Sequence, residues 1–330
     1  MYPWPPPFAP YYPYWVPPKQ TTGRPEPGAP YHRLGRTDRY RWWKPVLALP
    51  LILVTTFIAS IVLLIPLAMI DELLNPGAGE PPGDSLLNNP ILDEVALLLT
   101  VAVALPAVWL AVRVVEGRSL GWVSSVAGRL RWRWLAMACV VVVPLVILGF
   151  AAFVVVGTLV EPAGDAASAA PLDPGLVLGG LAVTIALVPV QAAAEEYVFR
   201  GFLLQWIGDY LRNPWFGVGI TSVLFTLAHL DLQWPRLVSL TAFGVVAAVL
   251  ALRTGGLEAS IALHTVNNLL AFGLGTLAGP PPTGDPGEVG MPWWMAAIDV
   301  AMLAAVLAVV LWLARRRRLA NRVPAVGSAA

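Results

Sequence analysis

The residues of this chain that could perform chemistry form three short sets with helical spacing inside apolar sequence. They are Glu195, Glu196, Arg200, Phe225, His229, His264 and Asn268. Polar and ionisable side chains are costly in a bilayer, so within membrane spans they indicate a functional site by default. A carboxylate removed from water can serve as a general base near neutral pH, and Glu195 is our candidate.

The acidic pair divides into two expected roles. At roughly 100° per residue, Glu196 and Arg200 lie about 40° apart on one helix face and one turn apart, as in an intrahelical ion pair. Glu195 points in another direction. We therefore expect Glu196 and Arg200 to be structural, and the Glu195 carboxylate to face the interior of a helix bundle.

The two histidine sets repeat an i, i+4 spacing on later helices. Glu195 and His229 stand equally far from a turn at position 212, with 17 residues on either side. On antiparallel helices they would reach similar depth, with Phe225 packed beside the His229 imidazole. At a rise of about 1.5 Å per residue, His264 lies about 13 Å from the turn at Gly255. Helix tilt must therefore bring it to the depth of Glu195 and His229.

Composition defines the surroundings of these residues. The chain is 57% hydrophobic and 12% charged, which is typical of a polytopic membrane protein rather than a soluble domain. We predict an all-α transmembrane helix bundle of about eight spans, of which the fifth and sixth are short. The spans are residues 46–70, 93–115, 134–160, 178–207, 215–230, 237–252, 257–276 and 293–314.

Loop charges predict the orientation of the bundle, because Lys and Arg collect on the cytoplasmic side. Basic residues precede the first span, occupy the loop at 116–133 and follow the last span, whereas the loops at 71–92 and 161–177 are acidic. Only Arg236, in a short outer turn, disagrees. We expect a multi-pass cell-membrane protein with both termini in the cytoplasm.

We expect four regions along the chain. Residues 1–44 form a proline-rich cytoplasmic tail without a fold, in which His32 is solvated; residues 45–174 hold three spans, 175–276 the catalytic core, and 277–330 the last span and a basic tail. The single cysteine, Cys139, excludes an internal disulfide. A net charge of +1 argues against nucleic acid as a partner.

A family resemblance is carried by three strings of sequence. They are Glu195-Glu196-Tyr-Val-Phe-Arg200-Gly201, Phe225-Thr-Leu-Ala-His229 and His264-Thr-Val-Asn-Asn268. Together they resemble the motifs of CPBP intramembrane proteases, the CAAX protease and bacteriocin-processing family, which includes type II CAAX prenyl endopeptidases. The resemblance covers about 95 residues and implies a helical bundle with a cavity open to the membrane, in which a membrane-associated or lipidated substrate is cleaved.

The resemblance also implies a role for each matched residue. Glu195 would activate the attacking water and His229 would help to hold it. His264 and Asn268 would stabilise the oxyanion, while Glu196 and Arg200 would support the helix.

Other chemistry fits the same side chains. Glu195, His229 and His264 could bind a divalent metal such as zinc, with Glu196 as the base. We favour the metal-free mechanism, because Arg200 competes for the Glu196 carboxylate. A proton- or cation-coupled transporter, or a non-catalytic scaffold or immunity factor, is the alternative from another class. The sequence does not identify the substrate.

Overall fold

A computed structural model describes residues 22–83, 85–160, 172–278 and 290–325. Within these ranges the chain is built from helices joined by short turns. The α-helices are α1 (Trp43–Leu74), α2 (Pro90–Ala102), α3 (Ala104–Ala111), α4 (Gly121–Ser124), α5 (Trp132–Val160), α6 (Pro174–Glu196), α7 (Leu204–Tyr210), α8 (Pro214–Ala228), α9 (Trp234–Thr254), α10 (Glu258–Ala278) and α11 (Trp293–Arg316).

The prediction of a polytopic helical bundle is confirmed. Each of the eight predicted spans coincides with a helix, and six helical segments in the described ranges are long and apolar enough to cross a membrane. The fifth predicted span is indeed short, since α8 has 15 residues, but the sixth is not, since α9 has 21 residues and is long enough to cross a membrane. The outer faces of α1 and α5 expose large apolar side chains such as Phe57 and Leu148, as expected of helices that contact lipid.

The fourth span is a single apolar segment of 37 residues that changes helix type part of the way along. α6 starts at Pro174, where the side chain of Asp173 caps the helix by accepting a hydrogen bond from the Gly175 amide at 2.7 Å. Directly after Glu196 the backbone winds into a π-helix, Tyr197–Leu203, before α7 continues. Wide π turns of this kind are frequent at functional sites.

α10 lies in the middle of the bundle, where it packs against α5, α6 and α9. Small buried side chains such as Ala259 and Ala262 let its neighbours approach closely. Its first residue, Glu258, accepts hydrogen bonds from Arg131 Nε at 2.8 Å and Arg131 Nη2 at 2.7 Å. This bidentate pair ties the start of α10 to the start of α5.

The described N-terminal segment packs against the bundle, which corrects one expectation. His32 is buried, and its Nε2 donates to the Arg212 carbonyl oxygen at 3.2 Å, so the prediction of a solvated His32 is wrong. Tyr31 beside it is fully buried and donates to the Val123 carbonyl oxygen at 2.7 Å. Burial lowers the pKa of His32, which keeps the imidazole neutral. The proline-rich part, residues 1–21, lies outside the described residues.

The two terminal segments lie on the same side of the bundle. The Val323 amide donates to the Ala29 carbonyl oxygen at 3.0 Å, and the Gly28 amide donates to the Val323 carbonyl oxygen at 2.9 Å. A chain that crosses the membrane an even number of times has both of its ends on the same side. That this side is cytoplasmic stays a prediction from the loop charges.

Gly208 in α7 is a point of close approach between the bundle and the N-terminal segment. A Cβ at Gly208 would lie 1.9 Å from the His32 carbonyl oxygen, so Gly208→Ala should displace that segment and destabilise the protein by about 1–3 kcal/mol. Gly219→Ala in α8 is the matched control, because no atom lies within 4 Å of its added Cβ. Thermal unfolding and limited proteolysis in detergent would test this; equal stability of the two variants would contradict it.

Candidate active site

Glu195 lies near the end of α6 and is half-buried. One carboxylate oxygen, Oε1, accepts a hydrogen bond from the side-chain amide of Gln191, one turn earlier on the same helix. The other, Oε2, is buried, has no hydrogen-bond partner among the described residues, and lies 3.9 Å from His264 Nε2. Glu195 therefore has one oxygen held in place and one oxygen available.

Glu196 is fully buried and makes two strong contacts through the same oxygen. Its Oε1 accepts from Arg200 Nη1 at 2.9 Å and from His264 Nδ1 at 3.0 Å. An unpaired carboxylate in this position would cost several kcal/mol, so the two donors are what make its burial possible. Glu196 links the π turn after α6 to the middle of α10.

Arg200 lies in the π turn, has no exposed surface, and is surrounded by aromatic rings. Its guanidinium carbon lies 4.2 Å from the ring centre of Phe225, 5.8 Å from that of Phe199 and 5.9 Å from that of Phe243. Ring faces attract a cation, most strongly where water is excluded. The aromatic rings thus add to the stabilisation of the arginine by Glu196.

His264 on α10 stands between the two carboxylates. Since an ionised carboxylate only accepts, the contact with Glu196 places a proton on His264 Nδ1 and directs Nε2 toward Glu195. The imidazole also packs edge-on against Phe243 and Phe225, with ring centres 5.0 and 5.9 Å apart. These contacts fix the orientation of the ring.

Asn268 lies one turn beyond His264 on α10. Its side-chain amide donates to Oε1 of the Gln191 side chain at 3.2 Å. The Gln191 side-chain amide thereby joins the two residues, with its Nε2 bonded to Glu195 and its Oε1 bonded to Asn268. Glu195, His264 and Asn268 are brought into one connected group.

His229 follows the last residue of α8 and is more exposed than the others. Its Nδ1 donates to the Phe225 carbonyl oxygen at 2.8 Å, which leaves Nε2 as an acceptor. The imidazole packs on the Phe225 ring at 4.6 Å between centres. His229 and His264 therefore contact the same ring, and no hydrogen bond joins His229 to the two glutamates in the described structure.

The residues that could bind a metal do not fit a three-ligand site in this arrangement. Among the described ranges, no three His, Cys, Asp or Glu side chains are grouped closely enough to hold an ion. The steps proposed below therefore use only the side chains of this chain and water.

Two residues of the site were not singled out from the sequence. Gln191 is, with Thr184, one of two polar residues in the apolar run before Glu195, and its i, i+4 spacing to Glu195 was a usable signal. Phe243 had no such signal, because it is one aromatic residue in an apolar helix. Only the packing of α9 against α8 and α10 brings it to the site.

The fold and the site together define a class, the polytopic membrane proteins with an ionisable cluster inside the bundle. Residues 177–270 match the model of the family described as type II CAAX prenyl endopeptidase Rce1-like. This match confirms the resemblance predicted from the three motifs, and this segment of the chain is similar to the Rce1-like family. At the level of the family, it supports a CAAX-type intramembrane protease.

Two curated bacterial proteins are similar to this chain. The uncharacterized protein YyaK of Bacillus subtilis strain 168 is 28% identical over 251 residues, which cover 73% of this chain and 82% of YyaK. An uncharacterized 24.3 kDa protein of Escherichia coli is 36% identical over 93 residues, 28% of this chain and 41% of that protein. No solved structure matches.

The buried ion pair predicts how the protein responds to loss of its arginine. Arg200→Met would leave the Glu196 carboxylate with only His264, so we expect a loss of about 3–5 kcal/mol in stability. The control is Arg236→Met, which removes the exposed ion pair with Asp231 and should cost about 0–1 kcal/mol. Thermal unfolding in detergent measures both, and comparable losses would refute the assignment.

Proposed function

We propose that this chain is an intramembrane endopeptidase in which Glu195 activates water to hydrolyse a peptide bond of a membrane-associated or lipidated protein or peptide. The observation that carries the proposal is the state of the Glu195 carboxylate: Gln191 holds Oε1, while Oε2 is buried, free of hydrogen bonds to the described residues, and directed toward His264. A water molecule between Oε2 and His264 Nε2 could bond to both atoms across their 3.9 Å separation.

The proposed reaction begins with proton transfer. Glu195 Oε2 accepts a proton from water as the water oxygen bonds to the peptide carbonyl carbon, which gives a tetrahedral oxyanion. The protonated Glu195 then transfers this proton to the leaving nitrogen as the carbon–nitrogen bond breaks. The products are a carboxylic acid and an amine, and Glu195 returns to its ionised form.

Two side chains on α10 would stabilise the oxyanion. The Asn268 side-chain amide has two hydrogens, and one of them is bonded to Gln191, so the other is available to the substrate. His264 would donate from Nε2 when both ring nitrogens carry a proton, and this nitrogen already lies on the Glu195 side of the ring. Both donors are positioned before the charge develops, which is the basis of oxyanion stabilisation.

His229 would act at the edge of this group. Its Nε2 is an acceptor, since Nδ1 donates to the Phe225 carbonyl oxygen, and it could hold the incoming water or the substrate amide. Glu196 and Arg200 would not take part in bond breaking. Their role would be to hold the π turn and to orient His264.

We further propose that residues 175–276 are the catalytic core and that both termini are cytoplasmic. The positive charge of the loops on the side of the terminal segments supports this orientation. The substrate would reach Glu195 from within the bilayer, because the cluster lies between apolar membrane helices.

Glu195→Gln should abolish cleavage, because the amide cannot accept the proton from water, while the protein remains folded and inserted. The matched control is Glu94→Gln, which changes another membrane-helix carboxylate that accepts from Thr184 at 2.5 Å on the α2 side of the bundle. Peptides from membrane fractions of cells with wild-type, Glu195→Gln or Glu94→Gln protein would be compared by mass spectrometry.

Peptides that appear with the wild type and with Glu94→Gln, but not with Glu195→Gln, would support the proposal. Cleavage retained in Glu195→Gln would refute the assignment of the base. A defect in proton flux in Glu195→Gln, together with no cleavage by the wild type, would favour transport instead.

Asn268→Ala should lower turnover by about a hundred- to a thousandfold with a small change in KM, as expected for loss of a group that acts mainly in the transition state. Gln191→Leu should also lower turnover, through loss of the hydrogen bonds to Glu195 and Asn268. A kinetic assay on a substrate found in the proteomic comparison measures both. An unchanged turnover in Asn268→Ala would remove Asn268 from the site.

A further inference from the structure

A pocket lined by arginines lies at the end of the bundle where the terminal segments meet, away from the glutamates. Its basic residues come from two helices and the turn after α11: Arg253 in the last turn of α9, Arg315 in the last turn of α11, and Arg318 just beyond. Asn321 and the apolar Leu311 and Leu319 complete its walls, and its volume is about 180 Å³. Among the described residues, no acidic side chain lines it.

These three arginines are exposed at the surface. In the part of the chain that the structure describes, none of them forms an ion pair with a carboxylate. By contrast, Arg131 nearby is paired with Glu258, and Arg316, in the same run, lies over the Trp312 ring at 4.4 Å. Like charges brought together without a counter-charge repel one another, so an anion would stabilise this arrangement.

The backbone at Arg318 forms the cap that ends α11. Arg318 has φ of +49°, a left-handed conformation that is uncommon for residues other than glycine. This turn reverses the chain after α11, so that residues 319–323 return across the end of α9, where Gly255 packs on Asn321. In this cap the Leu319 amide donates to the Ala314 carbonyl oxygen, and Arg318 lines the pocket together with Arg253 and Arg315.

The carbonyl groups at the end of α11 are already satisfied. The Arg317 amide donates to the Leu313 carbonyl oxygen at 2.9 Å, and the Leu319 amide donates to the Ala314 carbonyl oxygen at 3.0 Å. The negative end of this helix is therefore partly compensated, which reduces its repulsion of an anion.

From these observations we propose that the pocket binds a phosphate group, with Arg253, Arg315 and Arg318 as its donors. Guanidinium groups bind phosphate through paired hydrogen bonds, and basic pockets between membrane helices on the cytoplasmic side bind anionic headgroups. The apolar side chains of Leu311 and Leu319, which also line the pocket, suit the start of an acyl chain. The phosphate can come from an anionic phospholipid or from a free phosphate ion.

The test measures the effect of phosphatidylglycerol on the thermal unfolding of the full chain in phosphatidylcholine micelles. We expect phosphatidylglycerol to raise the unfolding temperature of the wild type with a saturable midpoint. The double variant Arg315→Gln with Arg318→Gln should raise the phosphatidylglycerol concentration at that midpoint about tenfold or more. The matched control is Arg316→Gln with Arg317→Gln, which removes the same charge from the same run outside the pocket. It should raise the midpoint concentration about twofold at most.

Arg253→Gln provides an independent test from a different helix, with Arg133→Gln as its control. Arg253→Gln should raise the phosphatidylglycerol concentration at the midpoint, because it removes one of the pocket arginines. This result can be read even if the double variant is unstable in phosphatidylcholine alone. Titration with inorganic phosphate identifies the source: a saturable shift with phosphatidylglycerol alone assigns a lipid headgroup, and an equal shift with phosphate assigns the free ion. Equal losses in the pocket variants and their controls would show diffuse attraction and overturn the proposal, as would an unfolding temperature that neither ligand changes.

Discussion

The central physical constraint in this protein is the cost of keeping the Glu196 carboxylate inside an apolar helix bundle. The carboxylate has no exposed surface, and the only compensation that the described structure provides comes from Arg200 on its own helical segment and His264 on α10. Both must be in place at once, because either contact alone leaves a buried charge poorly paired. This requirement joins the fourth span to α10 and sets their relative position.

That constraint explains the asymmetry of the acidic pair. Glu196 uses one oxygen for two donors and is held from both sides, whereas Glu195, its neighbour in sequence, is held only by Gln191. Because His264 Nδ1 is committed to Glu196, its Nε2 is directed to Glu195. The structural carboxylate thus orients the imidazole for the carboxylate that we propose to be catalytic.

Aromatic rings complete the same arrangement. Phe225 contacts the Arg200 guanidinium and both imidazoles, so one ring on α8 lies against a cation and two potential donors. Water is excluded from Arg200 by these rings, which strengthens its attraction to Glu196. The fixed rings stand where water would otherwise be, so the Arg200 guanidinium is ordered while the bundle stays closed to solvent.

Much of this protein is determined by its sequence alone. Long apolar runs dictate membrane helices, since backbone hydrogen bonds must be satisfied within each segment, and each of the eight predicted spans lies on a helix or on a run of consecutive helices. Helical spacing brings Glu196 to Arg200 and Phe225 to His229, because these pairs depend only on local geometry. The three motifs were enough to indicate the family that matches residues 177–270.

Tertiary structure decided the contacts between helices. That His264 reaches Glu196, that Gln191 bridges Glu195 and Asn268, and that Phe243 joins the site all depend on how α6, α9 and α10 pack, which no local periodicity encodes. The burial of His32 was missed for the same reason, because a polar sequence near prolines gives no sign that it will be covered by α7 and by the residues after α11. Spacing along the chain sets which residues share a helix face, and only packing between helices sets what that face meets.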